Sequence, residues 1–423
     1  MYTSEEMVAL RRQIHQYPEP GWCEFVTTAR LVKHLMPMGL EVLTGTKIIN
    51  PDYVQGRDPE QVAHFLEKAR EHGVTDIELQ SFEGYTGCVA VLKTGRPGPV
   101  LAIRFDIDCV EVDEAKDESH RPFREGWASQ NEGCMHSCGH DAHQTIGLGI
   151  CSWLADHREE LCGTIKVLFQ PAEEGVRGAR SMAESGILDD VDYFFANHIG
   201  VHLKTGQISA LPGTFLASKK IDAIFHGKAA HAGAYAEQGK NALLAAATAA
   251  LSVTAIPRHG QGATAVNVGT LHAGQGRNVI APNAKMQLEV RGETEEINNF
   301  MYESACERIN GAAAMYGCTA EIKLQGEATE FAPNPEAIAI AEEIAAAVVG
   351  KENVLRPSGS LGSEDATILL KRVQAHGGIG TYMLFGTDLT AGHHQKYHDI
   401  DESVMAAGVH FYELMIKKIC GIK

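Results

Sequence analysis

Five of the ten consecutive residues 134–143 of this chain carry side chains that can bind a metal ion. The ten residues read Cys-Met-His-Ser-Cys-Gly-His-Asp-Ala-His. Thiolate and imidazole ligands suit zinc or another first-row transition metal rather than calcium or magnesium. A structural zinc site needs a second, distant pair of cysteines, and none follows this segment. The segment therefore predicts part of an open, catalytic metal site. Its candidate ligands are Cys134, His136, Cys138, His140 and His143, with Asp141 in reach.

Two adjacent carboxylates, Glu173 and Glu174, stand just past a predicted strand. In open α/β sheets, ligands bind at the carboxyl ends of the strands. Adjacent side chains diverge, so one carboxylate can bind a metal while the other takes a proton from a water molecule. Taken alone, two adjacent glutamates are more often solvent-exposed residues of a loop. The metal-site interpretation becomes the better one only when other candidate ligands are considered with them.

Histidines follow two further predicted strands, and each alone is more typical of a core or surface residue. In combination they fall in successive strand-end loops of one predicted sheet, which supplies ligands for two metal ions and leaves a position for water. Such a metal pair lowers the pKa of water, polarises a carbonyl group and stabilises the tetrahedral intermediate. The combined set is Cys138, His140, Glu174, His198 and one of His393 and His394, with His202 and His398 nearby in sequence.

Composition excludes several classes of protein. The chain has 423 residues, 44% of them hydrophobic, and a net charge of -17, which argues for a globular protein of two domains and against nucleic acid or an anionic membrane as partner. The sequence shows neither a signal-peptide pattern nor an apolar run of transmembrane length. Ten scattered cysteines fit a reducing compartment. A cytoplasmic protein is therefore predicted.

Strands alternate with helices in the first 215 residues and again after residue 331, which predicts an α/β domain with a mostly parallel sheet and helices on both faces. One of these helices is predicted over 143–157. A polar stretch at 46–84, containing a predicted helix at 60–72, looks like an insertion. Residues 216–330 follow a strand-helix-strand-strand-helix-strand pattern, typical of an α+β layer domain. The predicted domains are 1–215 with 331–423, and 216–330 inserted between them.

The predicted inserted domain carries its own polar groups. They lie in 226–233, in 274–282 and at Arg291, and include His, Asn and Arg side chains that can bind an oxyanion or a carboxylate. The glycines at 274–276 do not have the spacing of a dinucleotide-binding loop. The alternative is that these residues are ordinary surface loops.

Taken together, the chain resembles the amidohydrolase branch of the M20 peptidase family, which includes hippurate and auxin-conjugate hydrolases. The motifs span nearly the whole chain in the family's order. Segments 46–84, 119–123 and 385–394 further resemble the branch members that hydrolyse p-aminobenzoyl-glutamate. The motifs are Arg104–Asp108, Met135–His143, Gln170–Gly175, His198, Ala230–Gly233, Gly276–Ile280, Gly362–Asp365 and Gly392–His394.

The resemblance implies a zinc-peptidase-like catalytic domain and an inserted, ferredoxin-like lid and dimerisation domain. It implies Glu173 as the general base that deprotonates the attacking water and later protonates the leaving amine. Asp106 or Asp108 would orient a ligand or the base. The implied ligands of two divalent metal ions are Cys138, His140, Glu174, His198 and His394.

The resemblance also implies that His231 reaches the scissile carbonyl of a neighbouring protomer, and that Asn278 and Arg291 bind substrate. Arg277 is an alternative for the substrate carboxylate. The family often has proline shortly after this histidine, whereas this chain has Ala234, Tyr235 and Ala236, so the turn is expected to differ.

The implied activity is hydrolysis of p-aminobenzoyl-glutamate to p-aminobenzoate and glutamate. The alternatives are a general N-acyl-amino-acid or hippurate-type deacylase, and a non-catalytic subunit of a hetero-oligomeric hydrolase. Manganese is the expected metal, with zinc, nickel and cobalt as alternatives that suit the same ligands. The implied partners are a second copy, bound through the inserted domain, and a homologous B subunit.

Overall fold

The computed structural model describes residues 1–211, 213–359 and 362–422. The chain forms two compact units. The first comprises Met1–Gly213, Ala332–Leu361 and Asp365–Lys423, and the second comprises Thr214–Phe331 and Gly362–Glu364.

A seven-stranded sheet forms the centre of the first unit. Its order is β1-β2-β4-β3-β5-β11-β6, and the four strands β4, β3, β5 and β11 are parallel. The short strands β1 and β6 lie at its two edges and, like β2, pair antiparallel with their neighbours. These strands are β1 (Glu41–Leu43), β2 (Cys88–Lys93), β3 (Val100–Asp106), β4 (Thr164–Gln170), β5 (Tyr193–Ile199), β6 (Ile208–Ser209) and β11 (Ile379–Phe385).

Helices cover both faces of this sheet. Successive side chains of a strand point to opposite faces, so each face of the central strands packs against different helices. Leu101, Ile103 and Phe105 join one core with apolar residues of α1, α6, α10 and α12, while Arg104 reaches Asp365, just before α11, from the opposite face. The helices of the first unit are α1 (Ser4–His15), α2 (Phe25–Leu35), α3 (Pro59–Glu71), α4 (Asp76–Ser81), α5 (Arg121–Arg124), α6 (His140–His157), α7 (Ala179–Ala183), α10 (Pro335–Val349), α11 (Ala366–Ala375) and α12 (Ser403–Cys420).

The second unit has a four-stranded antiparallel sheet in the order β10-β7-β9-β8, which is the ferredoxin-like arrangement. Apolar residues of its two helices pack on the sheet to form a separate core. The elements are β7 (Ala217–His226), α8 (Ala242–Thr254), β8 (Thr264–Ala273), β9 (Asn283–Gly292), α9 (Glu295–Met315) and β10 (Thr319–Ala328). The predicted fold class, a mostly parallel α/β sheet accompanied by an α+β ferredoxin-like layer, is confirmed.

One predicted boundary was wrong in a way that matters for the site. Helix α6 begins at His140, not at residue 143, so two histidines of the metal-binding segment lie on the first turn of the helix. Gly139 precedes the helix with φ of 85°, and a Cβ atom there would lie 2.5 Å from Ile199 Cδ1. Glycine therefore permits both the left-handed turn and the close approach of β5.

No helix in the described residues combines the length and the apolar composition that crossing a bilayer requires.

Candidate metal centre

The candidate ligands lie near the carboxyl ends of parallel strands. His198 is on β5 and Glu174 follows β4. Cys138 lies in the turn that leads into α6, and His394 belongs to the loop after β11. Because β4, β5 and β11 run in the same direction, their ends meet at one edge of the sheet.

Cys138, His140 and His198 form a first group of three candidate ligands. One ligand atom from each lies within 4.8 Å of the other two, and Cys138 Sγ lies 3.3 Å from His198 Nε2. All three side chains are buried. A soft sulfur and two imidazoles at this spacing suit a divalent transition metal.

Cys138, Glu174 and His394 form a second group with the same spacing limit of 4.8 Å. His394 Nε2 lies 3.3 Å from Glu174 Oε1. Glu174 and His394 are more exposed than the first group, with 17% and 51% of their side-chain surfaces accessible. Cys138 is therefore the member common to both groups.

Backbone carbonyl groups orient the two buried histidines. Nδ1 of His140 is 2.9 Å from the Asp108 carbonyl oxygen, and Nδ1 of His198 is 2.7 Å from the Ile199 carbonyl oxygen. A carbonyl oxygen only accepts, so both rings donate from Nδ1 and leave a lone pair on Nε2. His140 Nε2 is buried without a hydrogen-bond partner, as a metal-binding nitrogen would be before metal arrives. The residues present therefore fit a metal.

Burial and neighbouring charges shift the pKa values of the candidate ligands in different directions. Burial, together with the carboxylate of Glu174, raises the pKa of Cys138. Hydrogen bonds to Cys138 and Glu174 raise the pKa of His394 to about 10. Burial, with His143 and His393 beside it, holds the pKa of His198 well below its usual range. A raised pKa favours the protonated thiol, and a bound cation would favour the thiolate instead.

Glu173 and Glu174 do occupy different positions, as their adjacency predicted. Glu174 donates its backbone N–H to Asp108 Oδ2 at 2.9 Å. A carboxylate oxygen of Glu173 lies within 4.8 Å of ligand atoms of both His140 and Glu174. Glu173 is therefore beside both groups of candidate ligands without belonging to either group that contains Cys138.

The structure distinguishes His394 from His393. His394 has a left-handed backbone, with φ of 62°, and donates its N–H to the Ser137 carbonyl oxygen at 2.9 Å. This bond holds the loop after β11 against the turn that contains Cys138. His393 instead lies against the chain just after β5, where its Nε2 accepts a hydrogen bond from the Val201 N–H.

His143 supports the site rather than joining the groups that contain Cys138. Its Nδ1 is 2.5 Å from Asp106 Oδ1, and its Nε2 accepts the Ile199 N–H at 3.0 Å. Both ring nitrogens are thus engaged. Cys134 and His136 belong to none of the described groups of candidate ligands, so spacing in sequence overstated the number of ligands in this segment.

A buried polar network beneath the site was missed from the sequence. Arg11 Nε donates to Asp141 Oδ2 at 2.7 Å, and His15 bridges Asp141 and Glu114 at 2.7 and 3.0 Å. Burial disfavours a charged ring, but these carboxylates outweigh it and raise the pKa of His15 to about 9. The available signal was that Arg11 and His15 share one face of α1, four residues apart.

The second unit brings together two of its predicted site residues, the catalytic candidate His231 and the substrate-binding candidate Asn278. Ala232 donates its N–H to the Asn278 carbonyl oxygen at 3.0 Å, next to His231. The His231 ring accepts the Gly233 N–H at Nδ1, which places its proton on Nε2 when the ring is neutral.

The two candidate arginines of this unit differ in their surroundings. Arg291 forms a two-point ion pair with Glu289 at 3.0 and 3.2 Å, and Lys220 also pairs with Glu289. Arg277 is exposed and forms no ion pair with the described residues. Arg291 can leave Glu289 without stranding that carboxylate, since Lys220 remains.

The chain matches a known protein family over most of its length. A model described as peptidase family M20/M25/M40 matches residues 102–418. The chain is 48% identical to indole-3-acetyl-aspartic acid hydrolase of Enterobacter agglomerans, over 96% of this chain and 93% of that protein. It is 46% identical to a Haemophilus influenzae homolog of one subunit of p-aminobenzoyl-glutamate hydrolase, over 98% of each chain.

Solved structures give the same result. An aminobenzoyl-glutamate utilization protein from Klebsiella pneumoniae matches with a TM-score of 0.84 and 41% identity, covering 98% of this chain and 96% of that one. A dinuclear metal-binding peptidase of the M20 family from Bacillus subtilis matches with a TM-score of 0.66 and 25% identity, over 98% of each chain.

Proposed function

Because this chain belongs to the M20 peptidase family, whose members hydrolyse amide bonds, we propose that it is a dinuclear-metal amidohydrolase. Its proposed substrate is p-aminobenzoyl-glutamate, which it would cleave to p-aminobenzoate and glutamate. The observation that carries the proposal is the pair of ligand groups that share Cys138. The proposed ligands are Cys138, His140, Glu174, His198 and His394.

When bound, the two metals would supply a Lewis acid for the carbonyl group and a more acidic water molecule. Glu173 takes a proton from the water molecule while the water oxygen attacks the carbonyl carbon. The carbon–nitrogen bond then breaks, and Glu173 returns the proton to the leaving amine nitrogen. One water is consumed, and one acid and one amine are formed. Asp108 orients the pocket, since its carbonyl group holds His140 and its carboxylate holds the Glu174 backbone. Asp106 holds His143.

Manganese is the proposed metal, by similarity to the branch. Zinc, nickel and cobalt also suit a ligand set of one thiolate, one carboxylate and three imidazoles. His231 is proposed to stabilise the oxyanion, because its Nε2 carries the proton and its side chain is exposed.

The choice of p-aminobenzoyl-glutamate rests on the similar proteins named above, and one of them is named for indole-3-acetyl-aspartate instead. Both substrates join an aromatic acyl group to an acidic amino acid. We expect kcat/KM to be highest for p-aminobenzoyl-glutamate, then for indole-3-acetyl-aspartate. Hippurate should be at least about 10-fold poorer, since it lacks a second carboxylate and a charged hydrogen bond contributes about 1.5–3 kcal/mol.

The test measures amide hydrolysis by the purified, manganese-loaded chain, and the release of free amino acid reports the rate. Equal rates on hippurate and on p-aminobenzoyl-glutamate would favour a general deacylase. No hydrolysis of any of the three would favour a non-catalytic subunit. Neither alternative is favoured at present, because the base Glu173 and all five proposed ligands are retained and grouped.

Glutamate carries two carboxylates, and we propose that Arg277 and Arg291 each bind one of them. Arg277→Gln and Arg291→Gln are each expected to raise KM for p-aminobenzoyl-glutamate about 10- to 100-fold, the range of one charged hydrogen-bonded contact, with little change in kcat. With hippurate, which has one carboxylate, only one of the two variants should raise KM. Unchanged KM values for both variants would exclude the arginines from substrate binding.

A homodimer through the second unit is also proposed. Support comes from exposed leucines on α8, where Leu251 has 76% and Leu244 has 44% of its surface accessible, since large apolar side chains are usually covered by a partner when they cluster. A homologous B subunit is a further proposed partner, because one relative is named as the homolog of a single subunit of its hydrolase. All ten cysteines are free thiols, which supports the proposed cytoplasmic location.

A further inference from the structure

The turn that carries Glu173 and Glu174 has an unusual backbone. Ala172 and Val176 have positive φ angles of 54° and 57°, a region that residues other than glycine adopt infrequently and β-branched ones rarely. Gly175, between them, has φ of 79°. Residues in such conformations persist only when surrounding contacts fix them. The position of the two carboxylates therefore depends on what holds this turn.

Arg177 makes two of the contacts that hold it. Its Nε donates to the Glu174 carbonyl oxygen at 2.8 Å, and its Nη1 donates to the Gly56 carbonyl oxygen at 3.1 Å. The guanidinium forms no ion pair with a carboxylate in the described ranges. A planar group with several fixed donors can hold two carbonyl groups at once, which a lysine ammonium on a flexible stem does less well.

Gly56 lies in the polar segment 46–84 of the first unit, and hydrogen bonds to other parts of that unit hold the segment in place. Trp22 donates from its indole N–H to the Gln55 carbonyl oxygen at 2.7 Å. Asn50 bonds α7 and the residue after it: its N–H donates to the Ser181 carbonyl oxygen at 2.9 Å, and its side chain donates to the Glu184 carbonyl oxygen at 3.0 Å. The carbonyl group of Gly56 is therefore a fixed point for Arg177.

Space around Arg177 is limited on its other side. A Cβ atom on Gly21 would lie 2.5 Å from Arg177 Nη2 and 2.8 Å from the Ala172 Cα atom. Only glycine leaves room there for both the guanidinium and the turn. Three separate parts of the chain thus converge on the one arginine.

We propose that Arg177 is a positioning residue that ties the turn bearing Glu173 and Glu174 to segment 46–84, and that this segment is thereby part of the catalytic machinery. The inference rests on the proposed function, because it assigns Arg177 a role through the proposed base and ligand. Arg177 acts through the backbone, since its contacts are with the carbonyl oxygens of Glu174 and Gly56.

The test compares Arg177→Met and Arg177→Lys with Arg180→Met. Arg180, three residues later, pairs with Glu184, so its variant controls for loss of an arginine on this stretch. For Arg177→Met we expect kcat to fall about 10- to 100-fold, the range for groups that orient metal ligands, with KM within a few-fold of wild type. Calorimetric titration with manganese should show about 10-fold weaker binding at one of the two sites, the one that uses Glu174. Arg177→Lys should recover part of both losses, and Arg180→Met should match wild type.

Hydrogen exchange of the metal-free proteins gives a readout independent of activity. The amides of residues 174–178 should exchange faster in both Arg177 variants, while those of α6 stay unchanged. If Arg177→Met proves unfolded, Arg177→Lys decides, because it keeps the charge and the stem. Wild-type kcat, metal affinity and exchange in Arg177→Lys would overturn the proposal. If the wild-type chain hydrolyses none of the substrates but the exchange and metal effects appear, the positioning role stands and the proposed function fails.

Discussion

Glu173→Gln is expected to lower kcat for p-aminobenzoyl-glutamate by about 10²–10⁴-fold, because general-base catalysis contributes a factor of that size. Glu173→Ala should lose several orders of magnitude, since it also removes the group that orients the water. Both variants should keep two metals per chain and a nearly unchanged KM, because Glu173 belongs to neither ligand group that contains Cys138. The loss would then lie in the transition state alone.

Glu174→Gln is the matched comparison, since it changes the adjacent carboxylate in the same turn. Loss of the Glu174 carboxylate should lower the metal content and the activity together. Steady-state kinetics combined with metal analysis separates the two carboxylates. Near-normal turnover by Glu173→Gln, with metals loaded, would show that another group takes the proton. Loss of metal from both variants alike would mean that the two carboxylates do not have separate roles.

Cys138→Ala is expected to weaken the binding of both metals, because Cys138 is the member common to the two ligand groups. Four-ligand structural zinc sites in zinc-finger peptides bind with about 10–16 kcal/mol. By that scale one ligand is worth a few kcal/mol, or more than about 100-fold in affinity. His198→Ala and His394→Ala should each affect mainly one of the two ions. The hydrolytic activity of Cys138→Ala should be near background.

Cys134→Ala provides the control for this variant. Cys134 is also a buried free thiol in the same segment but belongs to no described group of candidate ligands. Manganese titration by calorimetry and metal analysis after dialysis give stoichiometry and affinity for each variant. Two metals bound by Cys138→Ala with wild-type affinity would refute the shared-ligand arrangement. Equal losses in Cys134→Ala would point to a general disturbance of the segment.

The proposed ligands could be predicted from the sequence because the chemistry of each is local. A thiol, an imidazole or a carboxylate directly after an apolar strand already points to the edge of a parallel sheet. Glu174 follows β4 and His198 lies near the end of β5, and the structure brings each of them to Cys138. The alternation of strands and helices likewise predicted the fold class, since hydrophobic periodicity is written directly into the sequence.

Hydrogen-bond partners were much harder to predict. His143 looks like a ligand by spacing, yet Asp106 and the Ile199 backbone occupy both of its ring nitrogens. The residues alone left His393 and His394 open, and only the family resemblance favoured His394, which the structure places beside Cys138 and Glu174. The edge strands β1 and β6 were not predicted, because they have only three and two residues, too few for an alternating pattern to be visible.

The sequence by itself thus determined which side chains can bind metal, in which order they follow the strands, and which class of fold carries them. Only the tertiary structure decided which ring nitrogens hydrogen bonds occupy, that Cys138 belongs to two groups of candidate ligands, and that Arg177 links Gly56 to Glu174. The physical reason is distance along the chain. Residue type and periodicity are local properties, whereas the network joining Arg11 to Asp141 and Asp399 spans 130 and 388 residues and exists only once the chain has folded.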